Sequence, residues 1–225
     1  NLAIVILAAG QGTRMRSRTP KVLHEIGGRS LVGHVIAAAG QLQAACVEVV
    51  VRHERDTVVV HLHEHYPNVV VVDQDDVPGT GRAVELAVAA LPADFTGDVL
   101  VLSGDVPLLE VGTMRELIEE HRRTGAAATM LSAVLADPTG YGRVIRDEAG
   151  AVSRVVEQKD ATADEAAVME INTGVYVFRT PELRAKLALV GTDNAQGEMY
   201  LTDVFAMLRG DGERREQRRD DLAAA

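Results

Sequence analysis

The sequence predicts an α/β fold in which a mostly parallel sheet carries helices on both faces. Residues 2–9 (LAIVILAA) form an uninterrupted apolar run, which is typical of a strand buried on both faces. Further apolar strands alternate with helical patterns along the first half of the chain. Aromatic residues make up only 3% and Trp is absent, so the core must be aliphatic. Together these observations predict right-handed crossovers and a three-layer, Rossmann-like α/β/α arrangement.

The elements of the first half each have a local signal. Ser30 is placed to cap a helix whose apolar residues recur at spacings of three and four. The same periodicity predicts helices over residues 81–91 and after Leu109. Short runs rich in Val and Leu predict the remaining strands, at residues 47–51, 69–72 and 99–102.

The second half is predicted to be richer in β-structure. An apolar stretch over residues 128–135 is followed by the turn DPTGYGR, and a hairpin is expected around Glu148–Gly150. A strand is expected at residues 173–178, and Pro181 suits the first turn of a helix. Without a linker or repeat, residues 1–208 are expected to form one domain, followed by a charged, frayed or truncated tail at 209–225.

Composition narrows the classes of function. The net charge of −10 argues against general nucleic-acid binding, and no apolar segment is long enough to span a membrane. The single cysteine, Cys46, cannot form an internal disulfide and favours a reducing, cytoplasmic location. His61, His63 and His65 lack the Glu that a zincin motif requires, because position 62 is Leu, so a solvated helix end is expected there.

The loop after the first strand, within LAAGQGTRMRSRTPKVL (residues 7–23), combines glycines with basic residues. Met15 stands where a dinucleotide fingerprint needs its third glycine, and no Gly-Lys-Ser/Thr of a P-loop is present. The glycines still free backbone N–H groups to face an anion. Arg14 and Lys21 could neutralise a triphosphate and stabilise charge during phosphoryl or nucleotidyl transfer, while Arg16 and Arg18 are expected to face solvent.

Asp105 follows the apolar run VLVL and the turn Ser103-Gly104, so we expect it at the carboxyl end of a strand, near the first loop. A carboxylate there is a hard oxygen ligand that Mg²⁺ accepts together with phosphate oxygens and water. Gln74 also follows an apolar strand, and its amide could both donate to and accept from the imide edge of uracil.

The loop residues LAAG-Q-GTRM-RSRT-PKVL resemble the signature of sugar-nucleotide pyrophosphorylases. More closely, the chain resembles the uridyltransferase domain of the GlmU-type bifunctional enzymes, over about residues 2–208. The later motifs that carry this resemblance follow in family order: PGTGRA (78–83), SGDVPLL (103–109), DPTGYGR (137–143), VEQKDAT (156–162), EINTGVYVF (170–178) and NAQGEMYLTD (194–203).

The resemblance implies a nucleotidyltransferase fold, a β-rich sugar-binding second half and a set of site residues. Arg14 and Lys21 are implied as catalytic and Asp105 as the ligand of a catalytic Mg²⁺. The implied nucleotide-binding residues are Leu7, Ala8, Ala9, Gly10, Gly12, Arg14, Lys21, Gln74, Gly79 and Thr80. The implied sugar-binding residues are Gly104, Gly142, Glu157, Asn172 and Thr202.

The implied reaction joins UTP to N-acetylglucosamine 1-phosphate and gives UDP-N-acetylglucosamine, a cell-wall precursor, and pyrophosphate. The sugar phosphate would attack the α-phosphorus directly, so catalysis would rest on positioning and charge neutralisation. No nucleic-acid or membrane partner is expected.

Two departures from the family pattern leave alternatives open. The chain ends in DDLAAA, short of the family's GVN segment, whose Asn is a second metal ligand, and no acetyltransferase β-helix follows. We therefore expect the protein to bind the metal more weakly than an intact domain does. We also expect that it transfers no acetyl group and is a monomer. One alternative is a related pyrophosphorylase with another sugar phosphate or nucleotide. The other is a sugar-nucleotide binding module without turnover.

Overall fold

The computed structural model describes residues 1–12, 15, 17–210 and 215–220, and for 215–220 it describes the backbone alone. The strands are β1 (Leu2–Leu7), β2 (Glu25–Ile26), β3 (Arg29–Ser30), β4 (Cys46–Val51), β5 (Val70–Asp73), β6 (Asp98–Ser103), β7 (Ala128–Val134), β8 (Arg143–Arg146), β9 (Val152–Val156), β10 (Glu170–Arg179) and β11 (Arg215–Asp220). The helices are α1 (Leu31–Ala39), α2 (Arg55–His65), α3 (Thr80–Ala90), α4 (Val111–Thr124), α5 (Ala163–Ala166), α6 (Thr180–Leu187) and α7 (Asp203–Gly210).

β1 lies within a sheet whose strand order is β11-β7-β10-β6-β1-β4-β5. It pairs in parallel with both β4 and β6, and β4 pairs in parallel with β5. Leu7 is in register with Val50 and Ser103, so the carboxyl ends of three parallel strands meet at one edge. β10 runs antiparallel to β6 and β7, but β5, β4, β1 and β6 are parallel to one another, so the sheet is mostly parallel, as predicted.

The core is divided into two apolar layers by this sheet. Ala3 and Val5 of β1 face the layer that contains α3, α6 and α7. Leu2, Ile4 and Ile6 face the opposite layer, which contains α1, α2 and α4. Because successive side chains of a strand point to opposite faces, a strand covered on both sides must be apolar throughout. The three-layer arrangement predicted from the apolar run is therefore confirmed.

Several local predictions for the helices and the hairpin are also confirmed. The Ser30 hydroxyl accepts from the Gly33 N–H at 3.1 Å and caps α1. β8 and β9 form the expected antiparallel hairpin, and Pro181 stands in the first turn of α6. β10 extends beyond the predicted residues 173–178 and contains a bulge between Asn172 and Val175.

The structure differs from the expected frayed tail at two places within residues 209–225. α7 continues through Arg209, which forms an ion pair with Asp147. The backbone of β11 pairs in parallel with β7, since the edge of a sheet offers hydrogen-bonding groups to a strand of any composition. No helix in the described part of the chain is long and apolar enough to cross a membrane.

Glu48 is an exception within the apolar core. It lies in the middle of β4 and is only 2% exposed. Its Oε2 atom has no hydrogen-bond partner among the described residues, and burial raises the pKa of this carboxyl to about 7. Burial of an ionised carboxylate is costly, so the folded protein holds a proton here that the unfolded chain releases at lower pH.

We predict that Glu48→Gln changes the pH dependence of stability. Below pH 4.5 the Glu48 carboxyl is protonated in both states, and above that its contribution to stability falls until the folded-state pKa of about 7 is reached. The free energy of unfolding of Glu48→Gln relative to the native sequence should therefore rise across this window, by on the order of 2–3 kcal/mol, and then level off. Urea denaturation at several pH values measures this difference.

Glu119→Gln, on an exposed position of α4, is the matched control. Its free energy of unfolding relative to the native sequence should not rise across the same pH range. A pH-independent difference for Glu48→Gln would contradict the prediction.

Candidate functional site

The first part of the site is built where β1 and β6 end. The Gly104 N–H donates to the Leu7 carbonyl at 2.9 Å, and a Cβ at Gly104 would stand 2.9 Å from the same oxygen. This close approach joins the two loops that follow the strands. Between them lies a cavity of about 270 Å³, lined by Leu7, Gly10, Gly12, Met15, Lys21, Val22, Thr80, Ser103 and Asp105.

Lys21 and Asp105 form an ion pair inside this cavity. Lys21 begins a short 3₁₀ helix (Lys21–Leu23) directly after Pro20, and Asp105 follows β6. Burial raises the pKa of Asp105, but hydrogen bonds from Lys21 and from the Ser103 hydroxyl (2.7 Å) outweigh it, so the pKa lies below its usual value. The carboxylate is therefore held ionised, next to a cation.

Gly12 shapes the glycine loop around Lys21. Its φ of +61° lies in the left-handed region, and a Cβ built there would stand 2.6 Å from the Lys21 Cβ. The Lys21 stem therefore packs directly on the glycine backbone. Met15 lines the cavity, whereas Arg14, the second predicted cation, lies outside the described residues, as does Arg16.

A second cavity, of about 380 Å³, adjoins the first and shares Leu7, Gly10 and Thr80 with it. The other lining residues include Ala9, Gln74 and Gly79. Ala8 lies beneath the loop, almost fully buried, and its N–H donates to Val50. The predicted nucleotide-binding residues that the structure describes therefore line these two neighbouring cavities or, for Ala8, lie beneath them.

The amide of Gln74 has a defined orientation in this second cavity. Its Nε2 donates to the carbonyl oxygens of Val77 (2.9 Å) and Gly79 (3.1 Å). Because a carbonyl can only accept, the side-chain nitrogen must face the backbone. The Oε1 atom is then the part of the amide left to meet a ligand, and it would act as an acceptor.

Four of the five predicted sugar-binding residues lie in the β-rich half and meet there. The Asn172 N–H donates to the Gly142 carbonyl at 2.9 Å, and a Cβ at Gly142 would stand 3.2 Å from both carboxylate oxygens of Glu157. Thr202 stands beside Glu157 and favours its ionised form, but its hydroxyl has no hydrogen-bond partner of ordinary geometry among the described residues. Gly104, the fifth, lies instead at the tip of β6 beside Leu7.

Glu157 is surrounded by acidic groups. Burial, and then the charge of Asp160, raise its pKa, and Asp203 and Glu198 act in the same direction. A carboxylate in this setting gains from donors supplied by a ligand, such as hydroxyl groups.

The segment that contains residues 198–203 connects the two halves of the site. The Met199 carbonyl accepts from the Gly81 N–H at 2.7 Å, and the Met199 N–H donates to the Pro78 carbonyl at 2.9 Å. The Leu201 N–H donates to the Thr80 hydroxyl at 3.2 Å. The loop before α3 is thereby attached to the same segment that presents Thr202 to Glu157.

Arg143, Tyr176 and Ser103 contribute to the site but were not predicted. Arg143 is 2% exposed and donates to the Gln158 side chain at 2.9 Å, bracing the turn that contains Gly142. The Tyr176 hydroxyl donates to Asn172 at 2.8 Å. The motifs GYGR and EINTGVYVF contain Arg143 and Tyr176, but a motif alone does not distinguish a ligand-contacting residue from a bracing one.

The donor set around Asp105 suits a hard cation that is shared with a substrate. No group of three or more His, Cys, Asp or Glu side chains in the described residues could hold a metal ion, and this includes the His61–His65 region. A single ionised carboxylate beside a cavity matches the way Mg²⁺ is usually bound, through one or two carboxylates plus phosphate oxygens and water.

Most of the chain is similar in sequence to known proteins. Residues 4–193 match the MobA-like NTP transferase domain. Proteins named bifunctional protein GlmU are 60% identical in Leifsonia xyli subsp. xyli and 55% identical in Clavibacter sepedonicus, each over 94% of this chain. The chain spans 44% and 43% of the length of those two relatives, less than half.

Solved structures share the fold at low sequence identity. A putative glucose-1-phosphate thymidylyltransferase from Bacillus anthracis, in complex with a sucrose, is 18% identical with a TM-score of 0.75, covering 98% of this chain and 87% of that one. A UDP-glucose pyrophosphorylase complexed with UDP-glucose is 14% identical with a TM-score of 0.75, covering 96% and 89%. These similarities confirm the predicted fold class.

We predict that Gly12→Ala destabilises the loop around Lys21. The substitution adds a Cβ against Lys21 and places it on a residue with φ of +61°. We expect a loss of about 1–2 kcal/mol in the free energy of unfolding, since strain at positive φ adds to the steric conflict. Gly10→Ala is the matched control, because a Cβ there meets nothing within 4 Å and should cost less. Equal losses in chemical denaturation would contradict the packing described above.

Proposed function

Since this chain belongs to the MobA-like NTP transferase domain family, we propose that it transfers a uridylyl group from UTP to N-acetylglucosamine 1-phosphate, giving UDP-N-acetylglucosamine and pyrophosphate. The observation that carries the proposal is the Lys21–Asp105 pair in a cavity that shares Leu7, Gly10 and Thr80 with the cavity of Gln74. The names of the GlmU relatives support the choice of reaction. The chain covers less than half of those relatives, so activity, substrates and partners are all part of the proposal.

Gln74 provides a physical basis for choosing uracil. Its Nε2 is engaged by two backbone carbonyls, so Oε1 faces the ligand as an acceptor. Uracil presents a ring N–H as a donor on its imide edge. Cytosine presents an unprotonated ring nitrogen at the same position, and two facing acceptors repel each other. A buried acceptor left without its donor is a strong source of discrimination.

The sugar half would be recognised by groups around Gly142. The Glu157 carboxylate can accept hydrogen bonds from sugar hydroxyls, which also relieves the repulsion from its acidic neighbours. Asn172 is hydrogen-bonded to Gly142 through its backbone N–H, and Thr202 offers a buried hydroxyl without a partner of ordinary geometry in the described residues. In this proposal these residues orient the sugar phosphate towards the nucleotide.

The proposed mechanism needs no side-chain nucleophile. An oxygen of the sugar phosphate forms a bond to the α-phosphorus of UTP while the bond to the β-phosphate oxygen breaks, and that electron pair leaves with pyrophosphate. Lys21 would neutralise charge on the triphosphate, and Arg14 is proposed to act with it. Asp105 would hold Mg²⁺, which when bound supplies additional charge neutralisation at the phosphates. We also propose that the protein is cytoplasmic and monomeric.

The decisive experiment measures pyrophosphate release by the purified protein with Mg²⁺ and a matrix of nucleotides and sugar phosphates. We expect turnover with UTP and N-acetylglucosamine 1-phosphate. Preferred turnover of glucose 1-phosphate or thymidine triphosphate would identify a related pyrophosphorylase instead. Tight binding of UDP-N-acetylglucosamine without any turnover would identify a binding module.

We predict that kcat/KM for UTP exceeds that for CTP by about 10- to 100-fold, as expected for an acceptor that a bound base covers and leaves without its donor. Gln74→Met preserves the side-chain length but removes both polar groups. It should therefore reduce the preference to a few-fold, mainly by lowering kcat/KM for UTP. Equal rates with the two nucleotides in the unmodified protein would exclude the assigned role of Gln74.

We predict that Lys21→Ala lowers kcat by about 10²–10³-fold, the range found when one charge-stabilising donor is removed from an active site. The melting temperature should change little, because the Lys21 side chain is 31% exposed and Asp105 keeps its hydrogen bond from the Ser103 hydroxyl. Lys186→Ala, on α6, is the control lysine and should retain full turnover. An unchanged kcat in Lys21→Ala would remove Lys21 from the mechanism.

A further inference from the structure

Asn172 is held in a backbone irregularity within β10. Asn172 is in register with Ser132 and Val175 with Leu131, so Thr173 and Gly174 form a bulge. Gly174 has a φ of +79°, and the Thr173 hydroxyl donates to the Leu131 carbonyl at 2.7 Å. The bulge lets the Asn172 side chain lie along its own strand, towards Gly174 and Tyr176. This is an Asx turn, a local geometry for which Asn followed by Gly two positions later is well suited.

Two donors converge on the same oxygen of Asn172. The Gly174 N–H donates to Oδ1 at 3.0 Å, and the Tyr176 hydroxyl donates to Oδ1 at 2.8 Å. A backbone N–H can only donate, so the atom facing Gly174 must be the carbonyl oxygen and not the amide nitrogen. This argument assigns the orientation of the amide from chemistry. Nδ2 is left pointing away from both donors, as a hydrogen-bond donor.

Tyr176 is itself immobilised by an aromatic cluster. Its ring lies 5.8 Å from that of Phe178 and 5.6 Å from that of Phe205, and its side chain is 4% exposed. The hydroxyl is the only polar group on this ring. A phenylalanine would keep the ring packing and remove only that group.

Asn172 and Glu157 both lie next to Gly142: the Asn172 backbone N–H donates to the Gly142 carbonyl, and the Glu157 carboxylate stands 3.2 Å from where a Gly142 Cβ would be. One presents a donor and the other presents acceptors, so together they match a sugar that offers both kinds of group.

We propose that Tyr176 is a positioning residue for sugar recognition. Its hydroxyl and the Gly174 N–H lock Oδ1 of Asn172, so that Nδ2 is presented to an acceptor oxygen of the sugar 1-phosphate. The proposal deepens the function proposed above and rests on it. Tyr176 itself does not touch the substrate and acts through Asn172.

The test is a double-mutant cycle of Tyr176→Phe and Asn172→Ala, followed by steady-state kinetics. Tyr176→Phe should raise KM for N-acetylglucosamine 1-phosphate by about 3- to 10-fold, the range expected for one lost hydrogen bond, and leave KM for UTP unchanged. In the Asn172→Ala background the same substitution should have no further effect, because residues that act through one another are not additive. An additive effect, or an equal rise in both KM values, would overturn the proposal.

Two further variants test the polarity of the Asn172 amide and provide a control for the loss of a phenol hydroxyl. Asn172→Asp retains an oxygen for Gly174 and Tyr176 but replaces the outward donor with an acceptor, so it should raise KM for the sugar phosphate more than Tyr176→Phe does. A smaller rise would contradict the assigned polarity. Tyr66→Phe removes a phenol hydroxyl near Gly33, away from the site, and should leave both KM values unchanged.

A failure of the proposed reaction is distinguishable from a failure of this inference. If the unmodified protein neither turns over nor binds UDP-N-acetylglucosamine, the proposed function is wrong. The hydrogen bond from Tyr176 to Asn172 Oδ1, on which the positioning role depends, is tested separately by the ¹³Cγ chemical shift of Asn172, which reports hydrogen bonding to Oδ1. The shift should change in Tyr176→Phe and remain constant in Tyr66→Phe. An unchanged shift in Tyr176→Phe would overturn the positioning role.

Discussion

The contact between the Met199 backbone and the loop before α3 is the constraint on which the site depends. The Met199 N–H donates to Pro78 in this loop, and the Met199 carbonyl accepts from Gly81 in the first turn of α3. A Cβ at Gly79 or Gly81 would collide with Met199. The glycines are therefore required by a close approach of two backbones. Through this contact the segment that carries Thr202 is fastened to the loop beside Gln74. This contact ties the nucleotide half to the sugar half, although Met199 lies 118 residues after Gly81 in sequence.

Hydrogen bonds to backbone groups orient the side-chain amides of both Gln74 and Asn172. Gln74 faces backbone carbonyls and is left with an acceptor, whereas Asn172 faces a backbone N–H and is left with a donor. Backbone groups cannot change between donor and acceptor, so the polarity offered to a ligand is set by the fold. In the first cavity, Lys21 and Asp105 form a charged centre, with Asp105 held ionised by its neighbours.

Much of the fold was predictable because its signals are local. The apolar run of β1, the cap at Ser30, the hairpin of β8 and β9, and Pro181 all follow from residues close together in the chain. The tail was less predictable: β11 pairs with β7 through its backbone, and that pairing leaves no hydrophobic pattern in a charged stretch. The antiparallel direction of β10 between β6 and β7 also depends on distant partners.

For the site, residue types and motif order determined the candidate chemistry: a glycine loop with Lys21, a carboxylate after β6, and an amide and a carboxylate in the β-rich half. Only the tertiary structure decided how these groups are oriented. The ion pair of Lys21 with Asp105, the outward Oε1 of Gln74 and the bracing of Asn172 by Tyr176 all depend on close atomic contacts. Periodicity reports which face of an element is buried. It does not report which atom of a side chain faces a neighbour, because that is set by atomic contacts in three dimensions. For Lys21 and Asp105 these contacts join distant segments, and for Gln74 and Asn172 they depend on the exact backbone geometry of a loop and of a bulge.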